Sequence, residues 1–427
     1  MLDIRRLRHE TEAVKGALAK RDASLPDLVD RVLELDVKRR EALGVVNDLK
    51  ARRNEASKRI GELKREGGDA EALILEMREV GDRISELDAC IASADKKIHA
   101  LLLGIPNAPC DEVPEGDEDH NVVQACYGSP TTFDFEPRPH WDVGEALGIL
   151  DLARGAKVSG SGFPVLLAGG ARLQRGLINF FLDVHTDEHA YTEVRVPYLV
   201  TSDAMTGTGQ LPKFVEESYQ TERDELWLVP TAEVPVTNLH RDELLTADDL
   251  PLRYTAYSPC FRREAGAAGM DTRGLLRVHQ FDKVELVRYE LPERSRDALE
   301  ELTREAEVLL ERLGLHYRRV LLASGDLGQS GALTYDLEVW APGVDKWLEV
   351  SSCTTFTDYQ ARRANIRFRR TQAEKPEFVH TLNGSALALP RVMAALLETY
   401  QQADGSVTLP EVLHPYVGSD RLTRSPF

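Results

Sequence analysis

The residues with most chemistry to offer lie between Arg253 and Val287: Arg262, Glu264, Arg277, His279, Phe281, Lys283 and Glu285. Their surroundings predict a strand over 254–264, a polar Gly-rich loop over 265–275 and a second strand over 276–287. With a period of two, Arg262 and Glu264 share one face of the first strand. Arg277, His279, Phe281, Lys283 and Glu285 share one face of the second. Such a face can hold a phosphate on its guanidinium, an amine on its carboxylates and a planar ring on its aromatic side chain. Taken singly, each charged residue is as readily a surface ion pair, and Phe281 ordinary core. That bland reading weakens when five such residues fall in one hairpin.

A hairpin of this kind needs a scaffold, and 427 residues at 47.7 kDa exceed one hydrophobic core, so two or three domains are expected. Leu28, Val32, Leu35, Arg39, Ala42, Val46, Leu49, Arg53, Ala56, Ile60 and Leu63 recur with steps of four and three. After Gly67-Gly68 the pattern resumes through Leu73, Met77, Val80, Ile84, Leu87, Ile91, Ala94, Ile98 and Leu101. Two heptad seams joined by a Gly-Gly turn predict an antiparallel helical hairpin, each arm roughly 50 Å long at 1.5 Å per residue. Residues 38–65 carry ten basic and four acidic side chains, whereas residues 70–103 carry four basic and seven acidic. The first arm's acids, Glu41, Asp48, Glu55 and Glu62, repeat every seven residues beside the seam, where pairing with the second arm is expected. The excess of positive charge on the first arm suits a phosphate backbone, or simply a solvated coiled-coil face.

Pro106, Pro109 and Pro114, with six acids between Asp111 and Asn121, mark a linker. The expected boundaries are a helical-hairpin domain over 1–105, an acidic linker over 106–125 and a catalytic domain over 126–427. Beyond residue 130 helical and alternating patterns mix. A helix over 171–186 puts Leu173, Leu177, Phe180, Phe181 and Val184 on one side, and a strand over 191–197 closes with Pro197. The composition, 42% apolar and 29% charged with net charge −18, is that of a soluble globular protein. No stretch reaches the apolar length of a membrane span, and the N-terminus has no secretory h-region. Five scattered cysteines without a C-x-x-C argue against a disulfide framework or a four-thiolate zinc site, so the expected location is cytoplasmic.

Longer motifs sharpen the reading. Phe261-Arg262-Arg263-Glu264 with Arg277-Val278-His279-Gln280-Phe281 resembles motif 2 of the class II aminoacyl-tRNA synthetases in its seryl-tRNA synthetase form. Thr206 to Lys213, Pro230 to Pro235, Tyr335 to Glu338, Glu349 to Cys353, Gln360 to Asn365 and His380 to Ser385 resemble further segments of that family. Arg391 matches the motif 3 arginine, and the helix over 171–186 with its Pro-ended strand resembles motif 1, which builds a dimer interface. The resemblance covers the whole chain and is similar to the bacterial branch. It implies an α+β fold: the N-terminal antiparallel hairpin plus a mainly antiparallel sheet flanked by helices. It further implies a homodimer that activates L-serine with ATP and Mg²⁺ and passes the seryl group to the 3′-terminal adenosine of tRNA(Ser), with the hairpin on the long variable arm.

The resemblance also distributes roles. Arg262 and Arg391 would be catalytic, Arg262 at the α-phosphate and substrate carboxylate, Arg391 at the γ-phosphate. ATP would be held by these with Arg263, Glu264, Val278, Phe281, Glu349, Val350, Ser351 and Ser352, of which Glu349 and Ser352 would also bind Mg²⁺. Serine would meet Thr231, Ala232 and Glu233 around its amine, with Thr231 and Glu233 on one strand face, and Glu285 and Ser385 at its hydroxyl. On the hairpin, Arg39, Arg40, Arg52, Arg53, Lys58 and Arg59 would meet tRNA. No membrane or DNA partner is expected. The chain departs from the family at Met270, where many relatives have lysine, at Gly328 to Thr334, which lacks lysines, and at Pro390 before the motif 3 arginine. A ligase that loads a protein carrier typically lacks the long hairpin. A catalytically dead tRNA-binding module predicts erosion of Arg262, Glu264 or Arg391, and a coiled-coil scaffold leaves the site residues unexplained.

Overall fold

The computed structural model describes residues 1–265 and 273–424, and these form two compact units, one of residues 2–106 and one of Met1 with residues 107–424. In the first unit, two short helices precede helix α1, Leu25–Arg65, and helix α2, Glu71–Gly104. The turn between them uses Gly67 at φ +75°, a conformation that costs other residues but not glycine. Val46, Val80, Ile84 and Ile91 bury a common seam, edged by Ala42, Leu49, Met77 and Leu87. The heptads therefore lie where the spacing predicts. The polarity of the cross-seam pairs is the reverse of that expected. Bases of α1 meet acids of α2, Arg39 with Asp95, Lys50 with Asp88 and Arg52 with Glu76, while Glu62 pairs with Arg59 on its own helix. The ten bases of residues 38–65 and the seven acids of α2 make this the electrostatically favoured direction.

The second unit is built on an eight-stranded sheet. In chain order its strands are β1 Val122–Tyr127, β2 Thr192–Glu193, β3 Leu252–Phe261, β4 Gln280–Glu290, β5 Tyr317–Leu321, β6 Leu333–Ala341, β7 Lys346–Thr357 and β8 His380–Ala388. Across the sheet they run β1-β5-β6-β7-β8-β4-β3-β2, antiparallel except for β2 against β3. Helices α3 Ala168–Asp187, α5 Ser295–Arg312 and α7 Leu389–Thr399 share the main core with the sheet, while α4 Glu233–Thr237 and α6 Tyr359–Ala364 contribute to a second cluster. Leu173, Leu177, Phe180, Phe181 and Val184 of α3 are all buried in the main core, as their spacing requires. On β4, Val284 and Leu286 enter that core. Alternation then turns Phe281, Lys283 and Glu285 to the opposite face, where the site lies.

Two segments differ from expectation. The stretch 107–121 is bound along the second unit rather than crossing solvent. The Asn107 amide donates to the carbonyls of Ser330 at 3.0 Å and Phe356 at 2.8 Å, Cys110 N–H donates to Ala332, Val113 is buried, and β1 begins at Val122. Its acids face outward and mask, in composition, a backbone anchored from within. The strand expected over 191–197 is reduced to Thr192–Glu193.

Candidate active site

The hairpin strands are displaced from their expected limits. The first ends at Phe261, and Glu264 adopts φ +49°, so Arg262 and Glu264 share no strand face. The second begins at Gln280, which leaves Arg277 and His279 in the loop. Those residues are nonetheless drawn together. Arg262 N–H donates to the His279 carbonyl at 2.9 Å, and Arg277 donates to the Glu264 carboxylate at 2.9 Å. The Arg262 guanidinium lies over the Phe281 ring, 5.1 Å from its centroid, a cation–π arrangement. Arg263 turns to the 216–217 segment, donating to the Glu216 carbonyl at 3.1 Å, and Val278 is buried.

Thr231 and Glu233 are not on a strand: the chain turns at Thr231 and Glu233 opens α4. The proline-flanked turn brings them to the sheet all the same. The Thr231 hydroxyl accepts from Glu233 N–H at 3.2 Å and donates to Glu285 Oε2 at 2.8 Å. The Asn383 amide donates to Glu233 Oε2 and to Glu285 Oε1, each at 3.1 Å, and so ties the two carboxylates. Gln360, held in turn by Thr381, donates to Glu233 Oε1 at 2.6 Å. Lys283 forms an ion pair with Glu285 Oε2, both side chains being almost entirely buried. Burial, and then the neighbouring Glu285 charge, raise the Glu233 carboxyl to about 7, against the Gln360 hydrogen bond and the positive Lys283 and Arg262, which lower it. Ser385 stands directly opposite Glu285 in the β8–β4 register, hence on the same face. Ala232 is fully buried and serves packing. Gly384 beside Ser385 has no room for a side chain, because a Cβ there would sit 2.2 Å from Leu302 Cδ2.

On β7, Glu349 is exposed and accepts from Arg391 twice, through its carbonyl at 2.8 Å and its carboxylate at 3.2 Å. Arg391 also donates to the Leu276 carbonyl at 3.2 Å, which locks the arginine at the start of α7 onto the loop before β4. Ser352 faces Asp336 of β6 in register. Asp336 Oδ1 is buried without a hydrogen-bond partner, and burial followed by the Glu349 charge raises its carboxyl well above the usual range while Ser352 lowers it. Val350 lies in the main core, and the Ser351 hydroxyl donates to the Ser385 carbonyl at 2.7 Å, so the side chains of these two serve the sheet.

In the helical unit, Asp36 is fully buried and holds Arg8 through two bonds of 2.6 and 2.7 Å, Arg40 at 3.0 Å and Arg39 at 3.6 Å. Of the six basic side chains expected to meet tRNA, Arg39, Arg40, Arg52 and Arg59 are thus in ion pairs, whereas Arg53 and Lys58 are exposed and make none among the described residues. The sequence placed Lys283 on the hairpin face without assigning it a role, and pointed to no role for Gln360, Asn383, Asp336 or Asp36. All but Asp36 stand in or beside segments quoted for their family resemblance, which was the signal available. Met270 lies outside the described residues. Among the described residues no cluster of three His, Cys, Asp or Glu suits a metal ion, and no helix is long and apolar enough to cross a membrane.

A carboxylate pair, two flanking arginines and a ring, all mounted on an antiparallel sheet, have counterparts in known proteins. Residues 1–109 match the family model for the seryl-tRNA synthetase N-terminal domain, and residues 214–400 that for the tRNA synthetase class II core domain (G, H, P, S and T). A serine–tRNA ligase of Geobacillus sp. (strain WCH70) is 58% identical over 99% of this chain and 100% of its own length. One from Gemmatimonas aurantiaca is 56% identical over 98% of this chain and 99% of its own. The crystal structure of seryl-tRNA synthetase from Pyrococcus horikoshii complexed with ATP superposes with a TM-score of 0.96 at 40% identity, covering 100% of both chains. With both of its parts matched and relatives above half identity over nearly its whole length, the chain belongs to the seryl-tRNA synthetase family of class II aminoacyl-tRNA synthetases.

Proposed function

We propose that this protein is a serine–tRNA ligase, which activates L-serine with ATP to seryl-adenylate and transfers the seryl group to the 3′-terminal adenosine of tRNA(Ser). The observation that carries this is the buried Glu233–Glu285 pair tied by Asn383, a pocket with one carboxylate for an ammonium and one for a hydroxyl. In the first step the serine carboxylate attacks the α-phosphorus and expels pyrophosphate, so the protein need supply no nucleophile. It must align anions and offset charge. Arg262, resting over Phe281, has to swing off the ring to bridge the α-phosphate and the serine carboxylate with its planar fork. Phe281 then takes the adenine, Glu264 accepts from the adenine amine, and Val278 lies against the base. Arg263, Val350 and Ser351 contribute from the backbone or rim. Arg391 exchanges Glu349 for the γ-phosphate.

The donor set at Glu349, Ser352 and Asp336 fits Mg²⁺: all oxygen, with an unpartnered buried Asp336 oxygen whose carboxyl is raised by burial and then by the Glu349 charge. Glu349 and Ser352 would hold the ion, which when bound offsets phosphate charge. Thr231 and Glu233 hold the serine ammonium, and Glu285 with Ser385 receives its hydroxyl. The hairpin grips the long variable arm through α1, and α3 with the strand after it pairs two copies into a homodimer. Five cysteines without a disulfide suit a cytoplasmic enzyme.

The test is transfer of labelled serine, with ATP and Mg²⁺, to tRNA(Ser) and to a tRNA without the long variable arm. Charging of the first alone is expected. Exchange of pyrophosphate without charging of either would favour a carrier ligase, and silence in both assays would refute the reading.

A further inference from the structure

The carboxylate assigned to the serine hydroxyl does not stand alone. Glu285 Oε2 receives the Lys283 ammonium and the Thr231 hydroxyl, and Oε1 receives the Asn383 amide. Lys283 is 6% exposed and Glu285 0%, so water screens their attraction little. The pocket thus contains two negative groups, Glu233 and Glu285, and two positive ones, Lys283 and Arg262. If Glu233 is matched to the substrate ammonium and Arg262 to its carboxylate, the remaining Lys283–Glu285 pair presents a neutral side-chain subsite.

This matters because of what a lone carboxylate would admit. A hydroxyl and an ammonium on the same carbon are nearly equal in size, and both donate hydrogen bonds to a carboxylate. Neither packing nor hydrogen-bond donation separates serine from its 3-amino counterpart, 2,3-diaminopropionate. Charge does. An unpaired Glu285 would attract the second ammonium strongly, whereas Glu285 already neutralised would gain nothing from it and would set Lys283 against it. We infer that Lys283 is a specificity-determining positioning residue: it neutralises and orients Glu285 so that the side-chain subsite accepts a neutral hydroxyl and refuses a cationic one. The inference rests on the reading of the enzyme as serine-activating.

The experiment measures amino-acid-dependent ATP–pyrophosphate exchange with serine and with L-2,3-diaminopropionate, from pH 6 to pH 8, for the full-length protein and for Lys283→Met and Lys283→Arg. The wild-type protein should prefer serine in kcat/KM by at least 100-fold. In Lys283→Met the ratio should shift toward the diamine by roughly 100-fold, the scale of one unit charge about 6 Å away at an effective dielectric near 20. Lys283→Arg should keep the wild-type ratio to within several-fold, which a purely structural role for the lysine would not require. A Lys283→Met protein that still activates serine with an unchanged ratio overturns the inference. So does a wild-type protein that uses the diamine as well as serine, a result that needs no variant to fold. Absence of serine-dependent exchange in the wild-type protein instead sinks the functional reading on which the inference stands.

Discussion

Lowering the pH from 8 to 6 should weaken serine binding about tenfold. Glu233 is buried beside Glu285, and its carboxyl is raised to about 7, with Lys283 and Arg262 the positive groups facing it. An ammonium binds the ionised carboxylate and not the acid. With that value about ten in eleven molecules are competent at pH 8 and about one in eleven at pH 6, and the apparent Kd scales inversely with that fraction. The direction is fixed by the sign of the shift: affinity is lost as pH falls through 7. Binding at pH 7 should also expel about half a proton per serine, which calorimetry in two buffers of different ionisation enthalpy reads directly without ATP. Glu233→Gln should bind weakly and without this pH dependence. The same shift bears on folding, since the native state takes up a proton that the unfolded chain has lost between about pH 4.5 and 7. Its contribution to stability is greatest below 4.5 and falls by about 3 kcal/mol as pH rises through 7. Equal serine affinity at pH 6 and 8, with no proton released at pH 7, would refute the assignment of Glu233 to the amine.

Removal of the hydroxyl acceptor by Glu285→Ala should collapse discrimination between serine and alanine from as much as roughly 10⁴-fold to about tenfold or less. Pyrophosphate exchange with each amino acid measures it, and unchanged discrimination would contradict the role. Replacing residues 38–95, whose ends are brought close by the Arg39–Asp95 pair, with a short Gly-Ser turn should abolish tRNA charging and leave serine-dependent exchange largely intact. Equal loss of both activities would deny the hairpin its separate task. Replacing Arg288, whose guanidinium is fully buried against Tyr191, Glu301 and Glu305, by methionine should cost about 3 kcal/mol, since the half-buried Glu305 is then left with the more distant Arg253 for a cation, while Glu301 keeps Arg253 and Arg294. Denaturant unfolding checks this, and a loss below about 1 kcal/mol would show the network to be dispensable.

Much of this was legible in the chain because periodicity reports what faces a neighbour along one element. The heptads of α1 and α2, and the apolar stripe of α3, followed directly. What periodicity does not carry is where a strand stops and what a polar side chain meets across the sheet. Glu264 leaves the strand through a left-handed backbone, and Thr231 to Glu233 is a turn into a helix, yet both groups reach the site that their residue types suggested. Asn383 bridges two carboxylates only because the β8–β4 register sets Ser385 opposite Glu285, and Lys283 meets Glu285 only because alternate β4 residues share a face. Asp36 is a similar case: its neighbours Arg39 and Arg40 make it look like any surface charge on a helix, and only the fold brings Arg8 onto it and buries it.

Those ion pairs on the hairpin bear on how the grip on RNA proposed for it should respond to salt. Binding of a free basic side chain to phosphate releases condensed counterions, and each such contact adds roughly 0.9 to the steepness of log affinity against log salt on a duplex. An arginine already paired with Asp36, Asp95, Glu76 or Glu62 trades one partner for another, and its acid recovers a cation from solution. If only Arg53 and Lys58 act as free cations, the slope approaches roughly −2 rather than the −5 or so that six free charges would give. On the proposed function, a hairpin so wired would exchange internal contacts for external ones, and its hold on RNA would depend more on the shape it presents than on the salt around it.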